Sequence, residues 1–289
     1  MQVEMSARPD PEAASSRLRS LLATVPRRVV ACSGGIDSLL LATVAHREDP
    51  AATVVAHTVT PAVPDDATER VVDHARREGW DLVIVRSREF DDERYLANPT
   101  DRCYHCKRNL YAAIDEVREH RAAAPGGGGG ERILSGANLD DLGEYRPGLV
   151  AAAEHDVAHP YVEASISKSE IRAMARRLGL AEAELPASPC LASRLYTGTR
   201  VTASRLGAVD AGERALRELL GVDVVRCRIR GTAVLVEVPA GDRHLVDGAA
   251  LDAVAAAMRA VEPEITTVGL DDEAYRPGRA FVGAPGAPR

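Results

Sequence analysis

Short apolar runs alternate with amphipathic stretches through the first 185 residues, a rhythm that predicts a parallel sheet covered by helices. The runs at 27–32, 53–59, 81–86 and 132–135 read as strands, with a short fifth at 157–161. Spacings of three and four between them predict helices at 38–47, 65–78, 104–119, 148–154 and 168–178. Ser167 is an N-cap candidate for the last, with Glu170 at its third helical position. Residues 186–202 show neither period although they carry a cysteine and two arginines, and they read as a long active-site loop. Past the loop the rhythm changes. A helix at 203–220, strands at 223–229 and 232–238, a helix at 242–260 and a strand at 264–270 predict a small α+β unit with adjacent antiparallel strands. The expected fold is α/β: a doubly wound parallel sheet over 1–185, the loop over 186–202, and a smaller C-terminal α+β domain over 203–289. The run Pro125–Gly130 has no side chains to pack and reads as a flexible connector without chemistry.

Composition narrows the function classes. Aromatic residues make up 3% of the 289, too few for a stacking surface along single-stranded nucleic acid. The 36 basic residues are outweighed by 43 acidic ones, so no general basic field would hold nucleic acid or an anionic membrane, and any anion site must be local. Apolar runs are too short to cross a bilayer and the N-terminus lacks a charged-then-apolar signal pattern, so a cytoplasmic protein is expected. Five cysteines, two of them spaced as C-x-x-C, favour metal or reactive thiols over structural disulfides in such a compartment.

After the first strand comes Ser33-Gly34-Gly35-Ile36-Asp37-Ser38, where a helix begins. Two glycines at a strand-to-helix turn let the backbone approach an anion, and helix amides with the Ser33 and Ser38 hydroxyls supply donors for phosphate oxygens. Asp37 would repel phosphate by itself and makes sense as a ligand of a bridging Mg2+. The Walker A pattern is absent, and lysine occurs only at Lys107 and Lys168. Asn138, Asp140 and Asp141 follow the fourth strand, where carboxyl ends of parallel strands deliver ligand contacts. Cys103 and Cys106, three apart at the start of a helix, put both sulfurs on one face. Two thiolates are too few for a closed metal site, and Cys190 is the candidate third, leaving an iron–sulfur cluster, zinc with His105, or metal-free redox thiols open. Cys32 and Cys227 read as core residues. Arg194 and Arg200 would lower the thiol pKa of Cys190 and favour a nucleophile. Arg226, Arg228 and Arg230 alternate along one strand and form a candidate phosphate clamp.

The glycine turn resembles the SGGxDS motif of the PP-loop ATP pyrophosphatases. Together with NPTDRCYHCK, DLGEYRPGL, PCLASR followed by TGTRVT, the VRCR row and LDDEAYRPG, it resembles the LarE family, ATP-dependent sulfur transferases of nickel-pincer nucleotide cofactor biosynthesis, over nearly the whole chain. The resemblance implies a PP-loop domain of the HUP type and a dinicotinic acid mononucleotide substrate whose carboxylates become thiocarboxylates. It also implies that Ser33, Gly34, Gly35, Asp37 and Ser38 bind ATP pyrophosphate and Mg2+, with Lys107, Asn138 and Asp141 as further nucleotide contacts. Cys190 matches the sulfur-donor position; Ser193, Arg226 and Arg228 match positions holding the substrate phosphate, with Arg194 beside them, and Glu213 is a weaker match to an acidic cation ligand. Cys103, Cys106 and Cys190 together resemble the branch in which three cysteines hold a [4Fe–4S] cluster. A homo-oligomer is expected. Rival readings are a tRNA thiolase and an amidating ligase on the same fold, and a nucleotide sensor without catalysis; the acidic charge, the C-x-x-C pair and Asp37 respectively count against them.

Overall fold

Four short apolar strands shape the first half of the chain. The structure, a computed structural model, describes residues 9–123, 130–143, 146–187 and 189–280; the glycine run at 125–129 lies outside them. Helix α1 (Pro11–Leu22) precedes β1 (Arg28–Ala31), and then come α2 (Ile36–Glu48), β2 (Thr53–Thr58), α3 (Asp65–Glu78) and β3 (Asp81–Val85). A 3-10 turn at Glu89–Asp91 and the short α4 (Glu93–Leu96) lead into α5 (Arg102–Ala123), followed by β4 (Arg132–Ser135), α6 (Pro147–Glu154), α7 (Pro160–Glu163) and α8 (Lys168–Arg177). The four strands pair in parallel in the order β3-β2-β1-β4.

Successive strand residues face opposite ways. Val30, Val55 and Leu134 pack with Leu18, Leu40, Val71 and Ile171 from α1, α2, α3 and α8, while Val29, Val54 and Ile133 meet Tyr111, Ile114 and Ala151 from α5 and α6. The sheet is therefore doubly wound, as expected. Strand order reverses between β1 and β4, and the crevice outside the carboxyl ends at such a reversal is where open α/β sheets hold ligands. The SGGIDS turn and the segment Gly136–Asp141 leave those two ends.

The second half adds α9 (Ala203–Leu220), β5 (Arg226–Arg230), β6 (Ala233–Glu237), α10 (Gly248–Val261) and β7 (Thr267–Leu270). Strand β5 runs antiparallel to β6, as the pattern predicts, whereas β7 joins β6 in parallel. Leu206, Val209, Leu216, Ile229, Val234, Val254 and Met258 form its core. That core also takes in Ala62, Phe90, Tyr95 and Leu96, so the halves share apolar burial instead of meeting only through a linker.

Three expectations need correction. The fifth strand at 157–161 is a single bridge between Leu134 and Ala158, and Pro160 opens α7, because a fixed φ and a missing N–H suit a first helical turn and not a ladder. The helix at 242–260 is split: a 3-10 turn covers Ala240–Leu245, and Asp247 caps α10 by accepting from the Ala250 amide. The loop at 186–202 contains a 3-10 turn at Leu191–Arg194, and Leu195 bridges to Ile229. Helix α1, with Asp10 accepting from the Glu12 and Ala13 amides, is an element the periodicity does not predict.

A buried ion pair fixes that loop on α9. Arg194 donates from Nε and Nη2 to the two carboxylate oxygens of Glu213 at 2.8 and 2.9 Å, and the same carboxylate accepts from the Cys227 amide at 3.1 Å. Glu213→Gln should lower unfolding free energy in urea by roughly 3–5 kcal/mol, since it leaves a buried guanidinium without a counter-charge. Gly34 has φ of 81°, and a Cβ there would lie 2.6 Å from the Ala67 carbonyl oxygen. Gly34→Ala should cost about 1–3 kcal/mol in the same titration, against less than about 0.5 for Gly241→Ala, which meets open space.

Candidate functional site

The glycine turn has the form that an anion cradle requires. Gly35 caps α2 without a side-chain hydrogen bond, so the first amides of that helix stay open to a ligand. Ser33 is exposed at the rim. Ser38 is buried, and its hydroxyl donates to the Gly35 carbonyl at 3.0 Å while accepting from the Ser33 amide at 3.0 Å, so it clasps the turn. Arg70 from α3 donates to the Gly34 carbonyl at 2.9 Å and Tyr161 to the Asp37 carbonyl at 3.0 Å. Gly136 closes the other side: a Cβ there would lie 3.0 Å from the Ser38 nitrogen, so the segment after β4 can pass this close only without a side chain.

Asp37 pairs with Lys168, the first residue of α8. Burial pushes the Asp37 carboxyl up from its ordinary value, with the lysine partly offsetting that rise. Asn138 is buried and its Oδ1 accepts from the Asp140 amide at 3.0 Å; Asp141 accepts from the Asn138 amide at 3.0 Å and pairs with Arg146 at 2.7 Å. These groups form a polar wall beside the cradle. Ser135 and His159, bonded through Oγ and Nδ1 at 2.7 Å, sit at the same strand end, and burial lowers the His159 pKa.

The three candidate thiols converge from places 87 residues apart. Cys103 and Cys106 lie on the first turn of α5, and Cys106 and Cys190 both pack against the second core. Burial, then Cys190, pushes Cys106 up to about 12, and burial raises Cys103 despite the neighbouring Arg102. Lys107 loses charge stability through burial but regains more from Tyr111 and the three cysteines, and its pKa is raised overall. As the side chains stand, no three His, Cys, Asp or Glu among the described residues form a metal-holding group. The donor chemistry nevertheless suits a soft metal or iron–sulfur group: three thiols, with the cations of Arg102 and Lys107 beside them to offset thiolate charge. His105 instead lies 3.7 Å from Asp101.

The arginine row is engaged internally. Arg226 donates to the carbonyls of Val225 and Ala187 at 2.7 and 3.1 Å and lies 5.2 Å from the Tyr275 ring centroid. Arg228 lies 2.7 Å from Glu237 and donates to the Ser193 and Arg276 carbonyls at 3.2 and 3.1 Å. Arg230 is exposed over the Tyr196 ring, not alongside a third anion contact. Arg194 and Glu213 are bound to each other, and Ser193 Oγ accepts from Arg194 at 3.1 Å. Cys32 and Cys227 are buried, as core residues should be.

Several residues of the site are given no role by the motifs that the sequence carries. Tyr95 is 1% exposed and its hydroxyl has no hydrogen-bond partner; burial and the nearby Cys190 and Cys106 raise its pKa. Asn98 and Arg102 join α5 to the Cys190 loop, and their presence in the same NPTDRC segment as Cys103 is the available signal. Lys168 is signalled by scarcity, as one of two lysines among 36 basic residues.

Known proteins give the site its context. No family model matches the chain. Protein slr1717 of Synechocystis sp. is 34% identical over 228 residues, which covers 79% of this chain and 82% of that protein. The pyridinium-3,5-bisthiocarboxylic acid mononucleotide synthase of Lactiplantibacillus plantarum is 29% identical over 225 residues, 77% of this chain and 78% of the synthase. Protein MJ0830 of Methanocaldococcus jannaschii is 25% identical over 189 residues, 65% of this chain and 69% of its own length. The chain belongs to one family with slr1717, and its similarity to the synthase, added to the glycine turn and the doubly wound sheet, supports the LarE family.

Proposed function

We propose that this chain is an ATP-dependent sulfur transferase that converts the carboxylates of pyridinium-3,5-biscarboxylic acid mononucleotide into thiocarboxylates for nickel-pincer cofactor synthesis. Similarity to the synthase supports sulfur transfer of this kind at the family level. The observation that carries the reading is the convergence of Cys103, Cys106 and Cys190 in a chain that also has the glycine cradle. An amidating ligase has no use for that convergence.

A carboxylate resists nucleophiles, so activation comes first. A substrate carboxylate oxygen attacks the α-phosphorus of ATP, the bond to the β-phosphate breaks, and pyrophosphate leaves from the cradle. The open α2 amides, Ser33 and a divalent cation on Asp37 would stabilise its charge. Sulfur then attacks the acyl carbon and AMP departs with the C–O electron pair. Cys103, Cys106 and Cys190 would hold an iron–sulfur group, which when bound supplies sulfide for that attack. Lys107 and Arg102 would balance the negative charge of the thiolates. In the competing route the Cys190 thiolate attacks directly, and β-elimination from the resulting thioester leaves dehydroalanine. Arg226 and Arg228 are the candidate substrate-phosphate contacts; a phosphate there would replace the carbonyls of Ala187, Ser193 or Arg276 as acceptor.

Anaerobic incubation with MgATP and the dicarboxylate nucleotide should release AMP and pyrophosphate and give a product in which sulfur has replaced carboxylate oxygen. Cys190→Ala should abolish the sulfur product while AMP formation persists. Mass spectrometry of the wild type decides the donor: intact Cys190 after turnover supports the bound-group route, and loss of hydrogen sulfide from Cys190 supports its sacrifice. Release of AMP with tRNA but not with the nucleotide would overturn the assignment.

The raised thiol pKa values give a pH signature. Cys106, at about 12, and Cys103, above its ordinary value, keep their protons at neutral pH, so metal loading must displace those protons. The affinity of metal-free, oxygen-free protein for Cd2+ as a thiolate probe should therefore climb from about pH 6 to about pH 9 with proton release to unbuffered solution. Double replacement of Cys103 and Cys106 by serine should remove both effects.

A further inference from the structure

We propose that Lys168 is a travelling counter-ion: it occupies the carboxylate of Asp37 while the cradle is empty, and moves onto the β,γ-pyrophosphate when a divalent cation takes that carboxylate. The proposal rests on the reading that the glycine turn binds a nucleoside triphosphate.

Four observations carry it. Lys168 Nζ pairs with Asp37 Oδ2, while Asp37 Oδ1 is buried with no hydrogen-bond partner, so the carboxylate is only half satisfied. The pair is not sealed: the side chains are 34% and 26% exposed, which leaves room for an ion from solvent. The base of Lys168 is fixed even though its head is not. Its backbone amide donates to Asp140 Oδ2 at 2.6 Å, and the next turn is locked by the capping box between Ser167 and Glu170. Finally, two lysines stand among 36 basic residues, and one of them is here.

The chemistry explains why an arginine-rich chain keeps lysine at this point. A guanidinium would hold Asp37 through a planar fork, whereas an ammonium on a four-carbon stem is a compact charge that can pivot between two oxygens at little geometric cost. An acidic residue inside an anion cradle must always have a cation next to it. Before nucleotide arrives, Lys168 meets that need and also keeps Asp37 from repelling the incoming phosphates. With a divalent cation held by Asp37, the lysine would lose its partner, and phosphate oxygens in the glycine turn would be strong acceptors for it. Arg172, one turn further along α8, is tied to the Ala183 and Leu185 carbonyls at 2.6 and 2.8 Å and stays behind.

The test separates competition from simple positioning. Binding of Mn2+ to the nucleotide-free full chain is followed by electron paramagnetic resonance, and binding of a non-hydrolysable ATP analogue with Mg2+ by calorimetry. Lys168→Gln should tighten Mn2+ binding without nucleotide several-fold, because the competing charge is gone, yet weaken the analogue by roughly tenfold through the lost phosphate contact. Lys168→Arg should weaken the analogue as well, while thermal unfolding and circular dichroism match the wild type. Asp37→Asn should abolish Mn2+ binding and serves as the control for the site. If Lys168→Gln weakens Mn2+ binding, the lysine merely positions Asp37 and the proposal falls. Unchanged analogue affinity in Lys168→Gln overturns it too. Wild-type protein that binds no analogue at all would instead overturn the nucleotide reading, and this inference with it.

Discussion

The site depends on a clamp made by two side chains, Asn98 and Arg102. Asn98 has φ of 52°, a left-handed conformation that asparagine tolerates better than most residues, and from it the side-chain amide donates to the carbonyls of Tyr196 and Thr199 at 2.9 and 2.8 Å. Arg102 donates to Asn98 Oδ1 at 2.6 Å and to the Ala192 carbonyl at 2.8 Å. The start of α5, with its two cysteines, is thereby tied to the loop that carries Cys190. Hydrogen bonds from a charged group contribute about 1.5–3 kcal/mol each, while ordering backbone costs about 1–2 kcal/mol per residue. The clamp alone cannot hold the whole loop. Burial of Leu191, Leu195 and Val201 in the second core supplies the remainder, and the clamp selects which conformation that burial stabilises.

Charge is arranged differently in the two halves. Around the cradle, polar groups are left open: the α2 amides lack a side-chain cap, and Asp37 has an acceptor oxygen without a partner. Around β5, charges are closed on one another. Glu237 is flanked by Arg228 at 2.7 Å and Arg279 at 2.9 Å, and Arg279 also lies 3.0 Å from Asp271. Such networks set geometry more than they add stability, because desolvation offsets most of the Coulombic gain. Here they hold the Ser193 and Arg276 carbonyls near Arg228. A net charge of −7 is compatible with anion binding only because positive groups are held at a few defined points.

Much of this is legible in the sequence. Continuous apolar runs such as RVVA and RILS announce strands buried on both faces, and SGGIDS at a strand end announces its own turn. Thiol chemistry makes Cys190 a natural partner for Cys103 and Cys106, but spacing cannot establish the meeting, since local periodicity holds no information about contacts 87 residues apart. The arginine row shows a different limit. Period 2 correctly puts Arg226 and Arg228 on one face, yet whether that face meets solvent, substrate or internal carboxylates depends on β6 and the segment after β7. Likewise the 157–161 run has strand composition, and Pro160 is the signal within it that the chain turns into a helix.

The two ends of the site are linked by backbone as well as by charge. Gly136 lies against the first turn of α2, and Gly148 packs on Lys107, where a Cβ would come 3.0 Å from the lysine Cγ. Lys107 thus has the glycine of α6 on one side and the thiols on the other. Neutral thiols are poor nucleophiles, and burial keeps Cys103 and Cys106 neutral. Arg102 and Lys107 are the cations beside these thiols, and Glu89 is a carboxylate near Cys106. The two cations lower the cost of negative charge there, while burial still opposes it. Under the proposed sulfur transfer, the same two cations would both tolerate a deprotonated sulfur and draw an anionic substrate toward it.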